Sequence, residues 1–376
     1  MTTAAGPRVA IVHDWLTGMR GGEKVLDALC DAYPDATVFT LVHAAGTVSR
    51  AIERHPLRAS PLSRLPGVQA YYRHLLPFFP AAVETFDLDR FDLVLSSSHC
   101  AVKSVIRPGR ARHVAYCHTP MRYVWDQRDA YFGRDRLGRA RARAFRPVLA
   151  WLARWDAATA NRVDRYVANS QHVARRICRY YNRRAAVVHP PVDVEFYRPD
   201  GRRPGGYALV VSALVPYKRL DLAIEACRLA RVPLKVVGRG PEANRLARLG
   251  GRDVEFLGPL PDERIRELYR ACGVVLLPGE EDFGIVPVEA QACARPVVAP
   301  RVGGVLETVV DSVTGILVEP GSAGALAEGI RRALDHPFDA AAIRANAERF
   351  GRQRFIDQMT AIVDETMAAR AGLTTW

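Results

Sequence analysis

Apolar residues along this chain come in two patterns. Short unbroken runs read as strands buried on both faces: Val9 to Val12, Ala36 to Leu41, Leu93 to Ser96, His113 to Tyr116, Arg165 to Ala168 and Ala185 to His189. Between them, apolar residues at spacings of three and four predict helices over Glu23 to Tyr33 and from Asn169-Ser170 through Tyr180. The first strand ends at His13-Asp14-Trp15, and Gly18 and Gly21-Gly22 precede the first helix. Strand, glycine turn, helix is the opening unit of a doubly wound α/β domain.

The same alternation restarts later. Asp200-Gly201-Arg202-Arg203-Pro204-Gly205-Gly206 has turn residues and charge but no apolar pattern, and reads as a linker. Strands are then predicted over Tyr207 to Val211, Leu234 to Val237, Val254 to Leu257, Gly273 to Leu277 and Pro296 to Ala299, with a helix over Leu220 to Ala230. The final segment, Arg349 to Ala369, has Phe350, Phe355, Met359, Ile362, Val363 and Met367 at helical spacing. The expected organisation is two Rossmann-like domains, 1–198 and 199–348, with a closing helix in 349–376 that returns to the first domain. The sequence contains no internal repeat.

Some segments resist the pattern. Tyr71 to Pro80 is aromatic and apolar with little periodicity, and is either core or an exposed surface for a lipid-bearing acceptor. Arg134, Arg136, Arg139, Arg141, Arg143 and Arg146 run into Leu149, Trp151, Leu152 and Trp155. That is either a basic helix lying on an anionic membrane or a solvated face with core contacts. Pro147 is expected to break or start a helix there.

The candidate chemistry sits after strands. Glu281 and Glu289 lie eight positions apart across a strand-to-helix turn, Gly279 to Ala290. Pro287 suits a first helical position, which sets Glu289 in the first turn and Glu281 in the loop before it. Amides of that turn, near Asp282, Phe283, Gly284 and Ile285, would point at an anion. Ribose, diphosphate and sugar, the parts of a sugar nucleotide, match acids and amides so arranged.

Three further turns follow strands: Ser212 to Arg219, with Lys218 and Arg219; Gly238-Arg239-Gly240; and Arg301 to Val305, with Gly303-Gly304. The first offers cations to a phosphate, the second lines a base or ribose pocket, and the third offers backbone amides to a diphosphate. In the first half, Cys117 and His118 are adjacent on an extended chain, point to opposite sides and form no thiol dyad. His118 is either a partner to a sugar hydroxyl or a satisfied core histidine. Asp14 is either a general base or a cap for the next turn.

Composition narrows the class. The chain has 376 residues and 49% apolar residues, which suits two domains with buried parallel sheets. No apolar run is long enough to span a bilayer, and the N-terminus lacks the pattern of a signal peptide. Seven scattered Cys fit reduced thiols in a cytoplasmic protein, with neither a disulfide frame nor a zinc site expected. The net charge of +13, carried by Arg with only four Lys, suits a phosphorylated substrate or the inner face of an anionic membrane. No motif supports nucleic-acid binding.

The segment Glu281-Asp282-Phe283-Gly284…Pro287…Glu289-Ala290 resembles the two-glutamate signature of retaining family four glycosyltransferases, which have the GT-B fold. The resemblance takes in Gly21-Gly22, His118-Thr119-Pro120, Asn169-Ser170, Lys218, Gly303-Gly304, Glu307 and Thr314-Gly315. His13-Asp14-Trp15-Leu16 and Tyr116 to Asp126 look like bacterial mannosyltransferases of cell-surface polysaccharide synthesis.

The family implies transfer of a hexose, mannose from GDP-mannose, to a lipid-linked or glycan acceptor, with retention and without a cofactor or metal. It implies Glu289 on the ribose, Glu281 with the Phe283 and Gly284 amides on the sugar, Lys218 on the diphosphate and Gly22 close to it. His118 would support the developing oxocarbenium charge; Asp14 is the candidate base. His13, Tyr123 and Trp125 are candidates for the acceptor. Ala213 departs from the family's Arg and Ala294 from its Gly, which is expected to crowd helix packing. A sugar-nucleotide epimerase or hydrolase, or a catalytically idle sugar-nucleotide-binding protein, are the competing readings.

Overall fold

The computed structural model describes residues 6–369, without the side chains of residues 129, 130 and 134–137, so Arg134 and Arg136 of the basic run lie outside the described side chains. The chain divides into two compact units: Met1–Pro191 with Gln353–Trp376, and Val192–Arg352. The division falls before residue 198 because Val192 and Tyr197 are buried in the core of the second unit. There the Val192 amide also donates to the Phe350 carbonyl at 2.9 Å.

The first unit holds seven strands: β1 (Val9–Leu16), β2 (Thr37–His43), β3 (Leu57–Ala59), β4 (Leu93–Ser98), β5 (Arg112–Cys117), β6 (Arg165–Ala168) and β7 (Ala185–Val187). They form one parallel sheet in the order β3-β2-β1-β4-β5-β6-β7. Alternation along β1 explains its unbroken apolar run. Ala10 and Val12 enter one core cluster, and Val9 and Ile11 the cluster on the other face. β1 continues through His13, Asp14 and Trp15 to Leu16, all buried, because β2 pairs with it as far as His43. The segment His13-Asp14-Trp15, where the sequence reading ends the strand, thus lies within it.

Helix Arg352–Ala368 belongs to this unit: Phe355, Met359 and Val363, four apart, enter the same core cluster as Ile11 and Tyr116. Burying three such side chains contributes about 1.5–3 kcal/mol each. Phe355→Ala would cost about 3–5 kcal/mol. In the Tyr71–Pro80 segment, Tyr72, Leu76 and Phe79 are core, and Phe78 is 59% exposed.

Helix Arg134–Ala158 runs through Pro147 without ending; its break lies at Gly138, with φ +75°. A proline inside a helix costs about 3 kcal/mol, and burial of Leu149 and Leu152 offsets about that much.

The second unit has β8 (Ala208–Val211), β9 (Leu234–Val237), β10 (Val254–Gly258), β11 (Val274–Leu276), β12 (Val297–Pro300) and β13 (Gly315–Val318). They form a parallel sheet in the order β10-β9-β8-β11-β12-β13. In both sheets the chain order reverses beside the first strand, between β1 and β4 and between β8 and β11. Loops leaving the carboxyl ends of strands at such a switch point diverge to opposite faces and leave a crevice where ligands bind. Among the described residues no helix is long and apolar enough to cross a membrane. Six of the seven cysteines are buried, and Cys178 is exposed.

Candidate functional site

The polar groups of the first unit gather at the ends of β1, β4 and β5. His13 on β1 and Ser97 on β4 are register partners in the parallel pair, so their side chains share one face. The Ser97 hydroxyl lies 3.1 Å from His13 Nδ1 and 2.9 Å from His118 Nε2. His118 is the first residue beyond β5. Its amide donates to the Ser98 carbonyl at 2.8 Å, and its carbonyl accepts from Asn169 Nδ2 at 2.9 Å.

Gly21 and Gly22 open helix Gly21–Ala32. A side chain at Gly22 would sit 3.4 Å from the His13 ring and 3.7 Å from His118 Nε2, so glycine lets the helix start approach both imidazoles.

Burial dominates the electrostatics here. It lowers the His13 imidazole to about 3, with neighbouring His99 acting the same way, and His99 lies well below the ordinary histidine range. Both rings are therefore neutral at ordinary pH. Burial pushes the Glu23 carboxyl up to about 7, against the opposing Arg20 guanidinium. Glu23 Oε2 accepts from the Arg20 amide at 3.1 Å, while Oε1 is buried with no hydrogen-bond partner.

Asp14 is fully buried, and its two oxygens accept four amides, those of His99, Cys100, Ala101 and Val102, at 2.7–3.1 Å. His99 Nδ1 lies 3.3 Å from the same carboxylate. This corrects the candidate base: the carboxylate holds the loop after β4, and its accepting capacity is spent on backbone. Trp125 is likewise anchored. Its indole N–H donates to Asp156 at 2.8 Å and its ring stacks on Tyr180 with centroids 4.6 Å apart. Asp156 also accepts from Tyr181 at 2.9 Å and pairs with buried Lys103 at 3.0 Å. Tyr123 packs edge-on against Tyr131, 4.8 Å between centroids, and burial pushes its phenol up. His13 is fully buried as well. Of the three acceptor candidates, His13 and the Trp125 indole N–H are engaged with protein groups, and Tyr123 is half-buried.

The second unit brings together residues that lie far apart in sequence. Lys218, beyond β8, donates to Glu281, beyond β11, so the cation and one acid of the sequence expectation are partners across the switch point. Their side chains are 16% and 23% exposed, shielded yet reachable.

The loops themselves interlock. A side chain at Gly304 would collide with the backbone of Asp282 and Phe283, and the Gly304 amide donates to the Glu281 carbonyl at 2.8 Å. That glycine pair is required by loop packing, and the Gly304 amide is engaged with protein instead of facing a diphosphate. Gly238 and Gly240 are pressed in the same way against the backbone of Ser212 and Leu214. Arg239 between them is exposed, and its carbonyl accepts from the Leu214 amide at 3.0 Å.

Helix Ile285–Ala292 starts two residues before Pro287, capped by Gly284 at φ +95°. Pro287 is therefore its third residue and Glu289 its fifth, in the second turn. Glu289 is only 5% exposed and accepts from the Tyr269 hydroxyl at 3.1 Å. Burial and the Glu289 charge hold that phenol well above its ordinary range, so it stays a donor. Phe283 anchors the loop in the core, edge-on to Phe350 with centroids 5.5 Å apart. Arg344 donates to the carbonyl of Ala292 at the helix end at 2.9 Å. Asp282 and Ile285 are half-buried beside these groups.

Arg219 behaves differently from Lys218. It sits in the left-handed region at φ +52°, and its guanidinium pairs with Asp221 at 3.1 Å on the surface. Ala294 is also left-handed, at φ +59°. The departure from glycine there is met as backbone strain.

Tyr269, Ser97, His99 and Glu23 escaped the sequence reading. Tyr269 carried one signal, an aromatic residue on a predictable helix before β11. Ser97 carried none, being the middle of three consecutive serines.

Residues 19–196 match the model for Glycosyltransferase Family 4, and residues 195–350 match that for Glycosyl transferases group 1. Among curated proteins, the D-inositol 3-phosphate glycosyltransferase of Geodermatophilus obscurus is 37% identical over 244 residues, 55% of this chain and 54% of that protein. The protein of that name from Mycolicibacterium smegmatis is 34% identical over 54% of this chain and 54% of that protein. The chain is thus aligned over about half the length of these relatives.

Among solved structures, Anabaena HepE (Alr3699) in complex with UDP and glucose superposes with a TM-score of 0.71 at 22% identity, covering 96% of this chain and 100% of that one. Sucrose-phosphate synthase from Thermosynechococcus elongatus gives 0.68 at 19% identity, covering 96% and 100%. The two family models lie in tandem over residues 19–350 on two parallel-sheet units, and the chain belongs to the group 1, family 4-like glycosyltransferases of GT-B fold.

Proposed function

We propose that this protein transfers a hexose from a nucleotide-diphosphate sugar and that the second unit holds the donor. The observation that carries this is the Lys218–Glu281 pair at the switch point between β8 and β11, with buried Glu289 one helix turn beyond. A leaving diphosphate must have its charge met as the bond breaks. Lys218 is the cation best situated for that, because Arg219 is spent on Asp221. Donor binding would exchange the Glu281 carboxylate for phosphate oxygens on Lys218 and release Glu281, with the Phe283 and Gly284 amides, to the sugar hydroxyls. Glu289, oriented by Tyr269, would take the ribose. A contact of His118 with the transferred sugar rests on the sequence resemblance alone.

Retention of configuration and mannose from GDP-mannose rest on the sequence resemblance alone. The names of the curated relatives favour a second reading of the acceptor, a polyol phosphate such as D-inositol 3-phosphate in place of a lipid-linked or growing glycan. Solved neighbours hold UDP, which makes UDP-sugars the first alternative donors. Contact with an anionic membrane is proposed for helix Arg134–Ala158, where Phe145 and Trp151 are 40% and 45% exposed among Arg139, Arg141, Arg143 and Arg146.

Thermal shift with a panel of GDP- and UDP-sugars tests the donor. A ligand at 100 times its dissociation constant stabilises by about 2.7 kcal/mol. Product analysis with the stabilising donor, offering D-inositol 3-phosphate and a lipid extract as acceptors, then separates transfer from hydrolysis, epimerisation or binding alone. No shift with any sugar nucleotide would overturn the proposal.

A further inference from the structure

We propose that Ser97 is a positioning residue whose hydroxyl locks the tautomer of His118 to that of buried His13 and supports a proton on His118 during transfer. The kinetic part rests on the glycosyltransferase reading; the tautomer part does not.

The argument is a count of protons. Ser97 and His13 are 0% exposed, and the hydroxyl is within hydrogen-bond distance of both rings, 3.1 Å from His13 Nδ1 and 2.9 Å from His118 Nε2. A hydroxyl has one proton to donate. It serves one imidazole, and the other must donate its own N–H to the serine oxygen. Only two arrangements satisfy this when both rings are neutral. Either Ser97 donates to His13 Nδ1 and both rings carry their proton on Nε2, or it donates to His118 Nε2 and both carry it on Nδ1. The two histidines therefore share one tautomer.

A second proton on His118, taken from the acceptor hydroxyl as its oxygen bonds to the sugar carbon and the diphosphate departs, leaves only the first arrangement. His118 Nε2–H then donates to Ser97, and Ser97 donates to His13 Nδ1. His13 is suited to be the terminal acceptor, because burial keeps it neutral. Its Nε2 is buried with no hydrogen-bond partner, so the contact with Ser97 is the ring hydrogen bond that orients His13.

The titratable and charged groups acting on this corner come from every element around it. They are Asp14 on β1, His99 after β4, Tyr116 on β5, Arg20 and Glu23 at the head of helix Gly21–Ala32, and the more distant Arg73 and Arg122. Replacing Ser97 changes none of them, so a shift in titration on its removal reports the relay.

Two measurements test this. Long-range ¹H–¹⁵N spectra of ¹⁵N-histidine protein, assigned with His13→Asn and His118→Asn, read each tautomer without any substrate. The expected result is one shared tautomer in the parent, and independent behaviour in Ser97→Ala. Opposite tautomers on His13 and His118 in the parent would overturn the proposal.

In transfer assays, Ser97→Ala is expected to lower kcat by about ten-fold, the worth of one lost hydrogen bond. Donor KM should stay close to parental and the acidic limb of the kcat profile should move to lower pH. Ser97→Thr, which keeps the hydroxyl, should restore both. A folded Ser97→Ala with the parental pH profile would overturn the relay. A parent that transfers nothing would sink the functional reading, and the spectra would still decide the relay.

Discussion

Lys218 donates to Glu281 across 63 residues of sequence, joining the loop after β8 to the loop after β11 at the point where the strand order reverses. The pair keeps a cation and an acid half-shielded together. It also gives both charges a partner until phosphate oxygens compete for the ammonium. Removing one partner of such a pair leaves the other uncompensated.

Lys218→Ala is accordingly expected to lower transfer by roughly 10²-fold, one or two charge-assisted bonds at 1.4 kcal/mol per decade. Arg219→Ala should cost far less, because its guanidinium is paired with Asp221 on the surface. Steady-state kinetics on both variants check this, and equal losses would contradict the distinction.

Asp14 is expected to act through the fold. Asp14→Asn turns one accepting oxygen into a donor and strands amides among His99 to Val102, at a cost of about 3 kcal/mol. Denaturant unfolding should register that loss. The shape of the pH–rate profile should be retained; disappearance of its acidic limb with unchanged stability would restore Asp14 as a base.

Ala294 occupies φ +59°, where a Cβ costs about 1–2 kcal/mol and glycine nothing. Glycine adds entropy to the unfolded chain worth about 0.4–1 kcal/mol. Ala294→Gly is expected to come out ahead by up to about 1 kcal/mol, raising Tm by about 2 °C in scanning calorimetry. A lower Tm would show that the methyl packs better than the backbone suffers.

Acid and base limits on stability follow from buried groups of the first unit. Burial holds His13 and His113 at about 3, from an ordinary 6.5. Below 6.5 the unfolded chain takes up protons that the folded chain refuses, so stability present above 6.5 is lost as pH falls toward 3. The slope is on the order of 1 kcal/mol per pH unit for each histidine. Glu23 runs the other way, raised from 4.5 to about 7. Its contribution is complete below 4.5 and is lost as pH rises through 7. Glu23→Gln, which keeps a capping side chain at the helix start, should therefore raise Tm relative to the parent more at pH 8 than at pH 5. The same difference at both pH values would contradict the buried-acid account.

What the sequence disclosed follows from where the information lies. Strands β8, β9, β11 and β12 are buried on both faces and announce themselves as apolar runs. Glycine turns and a neighbouring cation mark their ends. β3 and β13 went unseen: Leu57–Ala59 is a three-residue, largely exposed edge, and Gly315–Val318 begins with a glycine. Lys218, Glu281 and Glu289 were legible as types at strand tips. That Lys218 bonds Glu281, that Tyr269 orients Glu289 and that Asp14 caps a loop 85 residues away are contacts between distant segments, and no local pattern encodes them. The two glycines at 303 and 304 looked like phosphate binders because close approach to a ligand and close approach to another loop demand the same residue.

The most direct measurement is a crystal structure of the protein soaked with the nucleotide sugar that raises its Tm most. The account predicts diphosphate oxygens within hydrogen-bond distance of Lys218 Nζ, the ribose on Glu289, and Glu281 turned from Lys218 to the sugar. A nucleotide bound elsewhere, with the Lys218–Glu281 pair intact, would contradict it.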